Sequence, residues 1–408
     1  MSAPPALLSL DEALLRLLGA LAPVGATDTV SSLDALGRVL AEDVVSTLDV
    51  PPADNAAMDG YALRCADVVA AGTVLPVAQR IAAGRVGQAL ASGTAARIFT
   101  GAQIPAGADA VVMQEQCEAI DGTVRVDAVP EAGQWIRRRG EDIRSGSVVL
   151  ARGTRLTPQA LGLAASVGAA RLRVACRPRV ALFSTGDELA LPGEPLKPGA
   201  IYNSNRHTLR ALIEALGCHC HDLGIVPDDL ASTRDALRRA AESSDLIVTS
   251  GGVSVGEEDH LKPAVRAEGG LDLWSVAIKP GKPLAFGHVR RGDGSSAFLL
   301  GLPGNPVSSF ATFVLVVRPF LLAWQGATDV EPRSLPQRAD FDWPRPDRRR
   351  EFLRVRRNAS GGLDLFANQG SGVLTSVAWG DGLVDNPAGQ GIRRGDTVRY
   401  LPFAELLT

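Results

Sequence analysis

The sequence predicts a multidomain α/β plus β protein: a central α/β domain with a mostly parallel sheet, a small β-rich domain, a helical/β connector and a C-terminal β domain. Three observations carry this prediction. From about Arg179, strand-like runs alternate with helical periodicity, as βαβ units of a parallel sheet do. Between Pro51 and about Arg144, Gly- and Pro-rich turns separate brief β-branched runs, the pattern of short strands. Past Glu331 the helical signal vanishes and strand-like runs return. At 408 residues the chain exceeds the ~100–200 residues of one ordinary domain. It divides into residues 1–50 with 145–176 (connector), 51–144 (small β-rich), 177–327 (α/β) and 328–408 (C-terminal β).

In chain order, Ser9 and Glu12 spell a capping box for a short amphipathic helix whose apolar positions are Leu14, Leu15, Leu17 and Leu18. The same stretch lacks the basic head of a signal peptide, and Asp11 and Glu12 interrupt its apolar run. Ala110-Val111-Val112 and Thr123-Val124-Arg125-Val126 read as strands of the small domain. In the connector, Val148-Val149-Leu150 reads as a strand and an Ala/Leu-rich helix follows Pro158. Residues 180–184 form a buried-type strand, and Leu209, Leu212, Ile213 and Leu216 share one helical face closed by Gly217. A second helix begins at Ser232, boxed by Asp235; Leu246-Ile247-Val248 and Phe298-Leu299-Leu300 are further strands. The longest apolar stretch, residues 307–317, runs into Arg318 and Pro319, short of the ~20 residues of a membrane span. Phe352-Leu353-Arg354-Val355 and Thr397-Val398-Arg399-Tyr400 supply strands at the C-terminal end.

Hydrophobic residues at 46% and charged residues at 21% describe a folded globular chain. A net charge of -3 argues against nucleic acid or a membrane as partner, so any anion site is local. Five scattered cysteines, an odd number, form no disulfide framework and fit a reducing cytoplasmic compartment. No G-x-G-x-x-G follows the first α/β strand, which argues against a Rossmann dehydrogenase.

In parallel sheets ligands sit outside the carboxyl ends of the strands, where helix N-termini converge. Three loops occupy that position: Thr185-Gly186-Asp187-Glu188; a run from Thr249 through Ser250, Gly251, Gly252 and Ser254 to Asp259; and Gly301-Leu302-Pro303-Gly304-Asn305-Pro306-Val307-Ser308-Ser309. Glycines admit an anion to the backbone N–H groups, and hydroxyls and carboxylates add polar contacts or hold a divalent ion. Together the loops describe a phosphate-plus-magnesium site, although each alone also reads as a plain turn. In the last loop Asn305 is placed to cap the following helix and Pro306 suits its first position, leaving N–H groups free. Glu188, Asp228 and Asp259 are candidate magnesium ligands; Asp228-Asp229 also reads as a helix cap.

Lys279-Pro280-Gly281-Lys282-Pro283 holds two of only four lysines in a chain that otherwise uses arginine. Compact ammonium groups across a Pro-Gly turn suit a small tetrahedral oxyanion, the alternative being a solvated turn. Cys218-His219-Cys220-His221 alternates as a strand does, so its cysteines and histidines face opposite ways and do not converge on a metal.

These motifs jointly resemble one family. The stretch from Pro51 to Ala62 around Asp59-Gly60, Thr100-Gly101-Ala102, Arg139-Gly140-Glu141-Asp142, the three α/β loops, the Lys-Pro-Gly-Lys segment and Gln369-Gly370-Ser371-Gly372 are similar to the molybdopterin molybdenumtransferases, to which the C-terminal module of gephyrin is related. The resemblance implies an enzyme that inserts molybdate into adenylylated molybdopterin with release of AMP and magnesium present. It implies that Asp187, Glu188, Asp228, Ser254 and Asp259 surround the nucleotide phosphates and metal. Lys279 and Lys282, with Arg350, Ser371 and Ser308, would bind molybdate. Asp59, Thr100 and Asp142 would reach the α/β domain of a partner subunit in a homodimer held by the connector. The preceding adenylyltransferase and acceptor molybdoenzymes are further partners implied. The chain departs from the family at Ala53, Ala56 and Glu257-Glu258. Two rival readings are an adenylyltransferase of the preceding step and a non-enzymatic scaffold.

Overall fold

The computed structural model describes residues 7–21, 25–253 and 260–407. At its centre is a seven-stranded sheet in the order Leu7–Leu8, Gly269–Val276, Pro283–Arg290, Ser296–Leu302, Leu246–Ser250, Arg179–Thr185, His219–Val226. Four of the six neighbouring pairs are parallel. The other two form an antiparallel meander through Gly269–Val276 and Pro283–Arg290, strands that the sequence pattern does not announce.

The sheet is covered on both faces, and the strand alternation shows how. Val180, Leu182, Val248 and Leu300 pack with Leu209 and Ile213 of helix Ser204–Ala215 and with Phe310 to Leu322 of a long helix. Their neighbours Ala181, Phe183, Ile247 and Leu299 face Ala236, Leu237 and Ala240 of helix Leu230–Ser243. Each strand thus buries both sets of side chains, which is why these runs read as continuously apolar. The long helix, Pro306–Trp324, is apolar enough to cross a membrane, but 89% of its apolar window is buried inside the protein, as in a core helix. Its middle turn, Phe313–Val317, is π-wound just before Pro319, where proline cannot donate a backbone hydrogen bond.

Helix Leu10–Gly19 opens on the expected capping box, with Ser9 Oγ accepting from the Glu12 N–H at 3.1 Å and the Ser9 N–H donating to Glu12 at 2.8 Å. Its buried face is Leu10, Ala13 and Leu17, whereas Leu15 is 75% exposed. The second α/β helix starts at Leu230, two residues before Ser232, because Asp229 caps it by accepting from the Ser232 N–H at 2.8 Å.

The connector pairs Thr27–Ser31 with Arg171–Ala175 and Val44–Val45 with Val148–Leu150, and helix Pro158–Ser166 packs on them through Ala160 and Ala164. The small β lobe is a six-stranded sheet in the order Ala110–Met113, Gly60–Leu63, Ala95–Ile98, Thr73–Ile81, Thr123–Val126, Cys117–Ile120. The chain enters and leaves this lobe side by side: the Val50 N–H donates to the Ile143 carbonyl at 2.7 Å, and the Asp142 and Ile143 N–H groups donate to the Val50 carbonyl.

The C-terminal sheet runs Arg350–Arg357, Gly382–Asn386, Thr397–Pro402, Leu335–Arg338, and its first strand also takes the two-residue strand Ile278–Lys279 in parallel. The α/β lobe therefore contributes a strand to the C-terminal sheet. Two short helices, Thr375–Trp379 and Phe403–Leu406, interrupt a region whose sequence carries no helical signal.

Candidate active site

The three loops that follow the parallel strands meet in one cavity of about 730 Å³. Its walls are Thr185 and Glu188, residues 250–253, residues 303–306 with Ser308, the start of helix Ser204–Ala215, residues 279–283, and Arg349 with residues 369–371 of the C-terminal lobe. Of the residues the sequence singles out, Glu188, Ser250, Gly251, Gly252, Lys279, Lys282, Pro303, Gly304, Asn305, Pro306, Ser308 and Ser371 are brought together here.

Local backbone rules explain the shape. Gly251 has φ +95°, and a Cβ there would stand 2.9 Å from the Thr185 carbonyl oxygen, so only glycine lets these two strand ends lie together. At Gly186 a Cβ would come within 2.5 Å of Glu188 Oε2, so the glycine leaves room for that carboxylate. Asn205 ties two loops from above, its Nδ2 donating to Ser250 Oγ at 2.7 Å and to the Gly304 carbonyl at 2.8 Å. The Gly251 N–H donates to the Leu302 carbonyl at 3.1 Å. Asn203 accepts from the Arg206 N–H and starts the helix that carries Asn205. Neither asparagine is flagged by the glycine-rich grammar of the loops; the cap sequence Asn203-Ser204-Asn205 is the signal that would find them.

Asn305 opens the long helix but makes no side-chain cap. One first-turn donor is spent within the protein, since the Val307 N–H donates to the Ser371 carbonyl at 2.9 Å. This corrects the expectation that Asn305 caps the helix, and Asn305 itself lines the cavity.

The two lysines differ. Lys279 donates to Glu351 Oε1 at 3.2 Å and stands 3.4 Å from Asp347 Oδ2. Glu351 has no exposed surface and also accepts from Trp343 Nε1 at 2.8 Å and the Asp347 N–H at 3.0 Å. Lys282 is exposed on the cavity wall and pairs with no acid among the described residues. Arg349 adds a third cation, its Nε and Nη2 donating to Asp347 at 3.0 and 3.1 Å. The Arg349 fork, helped by its backbone N–H and by Lys279, holds the Asp347 carboxyl well below the usual carboxylate range.

Arg350 does not line the cavity. It is bidentate to the buried Asp385 at 2.6 and 2.7 Å and reaches Asp11 at 3.1 Å, locking the N-terminal helix to the C-terminal sheet. Its chain neighbour Arg349 faces the cavity in its place. Asp187 and Asp228 lie beside the cavity rather than on its wall, with the Asp228 N–H donating to Asp187 Oδ1 at 3.3 Å. Ser254, Glu257, Glu258 and Asp259 lie outside the described residues.

Asp59, Thr100 and Asp142 belong to the small β lobe, and none lines this cavity. Thr100 donates its N–H and Oγ1 to Asp59 Oδ1 at 2.7 and 2.8 Å, and these bonds lower the Asp59 pKa. Among the described residues no three His, Cys, Asp or Glu side chains cluster to hold a metal. His219 and His221 are exposed while Cys218 is buried, and burial pushes the Cys218 thiol up to about 12, so the strand reading of that motif stands.

Three family models match consecutive parts of the chain: MoeA N-terminal region (domain I and II) over residues 8–168, a probable molybdopterin binding domain over 181–323, and MoeA C-terminal region (domain IV) over 337–403. The chain belongs to the MoeA family. A molybdopterin molybdenumtransferase of Haemophilus influenzae is 38% identical, covering 98% of this chain and 100% of its own length. Molybdopterin molybdenumtransferase 2 of Mycobacterium tuberculosis is 40% identical over 88% of this chain and 90% of its own. The crystal structure of a molybdopterin biosynthesis moeA protein from Pyrococcus horikoshii superposes with a TM-score of 0.84 at 31% identity, covering 97% of this chain and 100% of the other. The MoeA fold, with its N-terminal, central and C-terminal parts, is thus the fold of this chain.

Proposed function

We propose that this MoeA-family chain is a cytoplasmic molybdopterin molybdenumtransferase that inserts molybdate into adenylylated molybdopterin and releases AMP. The observation that carries the reading is the sharing of one cavity by Lys279, Lys282, Glu188 and the Gly304 turn. Cations for an oxyanion and a glycine-lined strand end for a phosphate stand together, as the two substrates require.

In the insertion step each pair of dithiol protons leaves with one molybdate oxygen as water, while two Mo–S bonds replace the departing oxo group. The metal keeps its oxidation state, and the overall charge is unchanged. Fixed cations serve this exchange by holding the dianion in place without reorganising. Lys282, free of any acid among the described residues, is the contact best able to give its full charge to molybdate. Lys279 and Arg349, held by Asp347 and Glu351, provide oriented N–H donors. Cleavage of the pterin–AMP anhydride adds one water across the P–O bond.

Magnesium fits the same wall in a limited way. Among the described residues Glu188 is the acid that lines the cavity, and Mg²⁺ commonly takes one or two carboxylates together with substrate phosphate. Glu188 would contribute a ligand to the ion, which would neutralise phosphate charge.

We further infer that the chain works as a homodimer in which Asp59, Thr100 and Asp142 serve the cavity of a second copy. Two observations support this. None of the three lines the cavity of its own chain, and the connector exposes Leu33 at 90%, Leu36 at 58% and Val148 at 52%, apolar surface of the kind that subunits cover.

The test is incubation of purified protein with adenylylated molybdopterin, molybdate and magnesium, with AMP release and molybdenum incorporation as readouts. Both are expected to disappear in the Lys279→Ala/Lys282→Ala double variant. Full incorporation by a folded double variant would overturn the reading. Formation of the adenylate from ATP and molybdopterin would instead identify the preceding step.

A further inference from the structure

Arg354 is among the largest fully buried side chains, 1% exposed, and no acid pairs with it among the described residues. Its guanidinium donates to Ser376 Oγ at 3.1 Å and to the carbonyls of Phe352 and Gly370, both at 3.2 Å. Burial pulls its pKa down to about 10, which still leaves it charged at neutral pH.

The same residue grips the neighbouring loop through its backbone. Its N–H donates to Gln369 Oε1 at 2.9 Å, and Gln369 Nε2 donates back to the Arg354 carbonyl at 3.0 Å. One residue beyond Gly370, the Ser371 carbonyl accepts from the Val307 N–H in the first turn of the long helix. Gln369, Gly370 and Ser371 form the C-terminal lobe's wall of the cavity. Arg354 and Val307 thus both hold that wall.

Burying a cation is costly unless it is paired. Carbonyl and hydroxyl dipoles answer part of the charge here, and an anion on the far side of the 369–371 loop would answer the rest. We infer that Arg354 is a positioning residue of the oxyanion site: it fixes residues 369–371, and its charge, left without an acid, favours a dianion in the cavity. The inference rests on reading this cavity as the molybdate site. A residue that merely stapled the fold would carry no charge preference and would influence every substrate alike.

The test compares the wild type with Arg354→Met and Arg354→Lys in the insertion assay, varying sodium molybdate and recording thermal midpoints alongside. In Arg354→Met the KM for molybdate is expected to rise about tenfold while kcat stays within about twofold; Arg354→Lys, keeping the charge but losing the fork, is expected to show a rise of about threefold. A folded Arg354→Met variant with wild-type KM overturns the inference. If that variant fails to fold, an unchanged KM in Arg354→Lys does the same. A wild type whose rate has no saturable dependence on molybdate would overturn the underlying site assignment instead.

Discussion

Lys279 crosses from the α/β lobe to the C-terminal lobe to donate to Glu351, an acid with no exposed surface. The two are joined also through backbone, since Lys279 and Glu351 are register partners of adjacent parallel strands. A buried carboxylate that loses its cation is left under-compensated. Lys279→Ala is therefore expected to cost about 1–3 kcal/mol of stability, whereas Lys282→Ala, at an exposed site that pairs with no acid among the described residues, should stay within about 0.5 kcal/mol. Both should depress molybdate incorporation. Urea unfolding of the two single variants separates them, and equal destabilisation would contradict the asymmetry.

Asn205 joins the Ser250 and Gly304 loops with one amide nitrogen. Asn205→Ala leaves two acceptors without their donor and is expected to cost about 1–2 kcal/mol and to raise KM for the adenylylated pterin. Asn205→Asp should be worse, because a carboxylate oxygen would face the Gly304 carbonyl. Steady-state kinetics on the two variants checks the order; an Asp variant as good as wild type would count against the tie.

If the small β lobe serves a second copy, two inactive chains should complement one another. Co-expression of Asp59→Asn with Lys282→Ala yields mixed dimers in which one cavity is intact in both respects. Random pairing predicts about a quarter of wild-type activity from a symmetric dimer. Action within one chain predicts none, since each chain carries its own defect.

Acid should loosen the Arg349 clamp. The Asp347 carboxyl is held low, first by its hydrogen bonds with Arg349. A carboxyl whose folded pKa is depressed contributes stability that is complete above its unfolded pKa and is lost as pH falls toward the folded value. With an unfolded value near 4 for aspartate, the loss begins below about pH 4. Asp347→Asn removes this slope, so between about pH 5 and pH 3 its urea midpoint should fall less than that of the wild type. Parallel declines would show that the clamp carries no acid-sensitive stability.

The parts of the cavity that follow strands were legible because three glycine- and hydroxyl-bearing loops fall at strand ends of one parallel sheet, where ligands gather: Gly251, Gly304 and Ser308 all line it. What escaped was fixed by contacts distant in sequence. Nothing in Arg348-Arg349-Arg350 tells which side chain enters the cavity. That is decided by the pairing of Ile278–Lys279 with Arg350–Arg357, which carries Arg350 to Asp385 and leaves Arg349 on the wall. Glu351 and Arg354 look like ordinary strand charges until the sheet buries them. The helix placed at Ser232 starts at Leu230 because two adjacent aspartates compete for the cap and only the geometry selects Asp229. Capping box and buried strands, governed by neighbours within a few residues, came through in the expected positions.

The two-residue strand that the α/β lobe lends to the C-terminal sheet has a consequence for inheritance. A chimera that grafts the last lobe of a distant relative onto this chain must import an acid at the register of Glu351, and one in the place of Asp347 beside it, or its lysine loses its anchor. The two lobes are therefore expected to diverge in step, each constrained by the other's mutations, and a graft that ignores this register should fold yet bind oxyanion poorly.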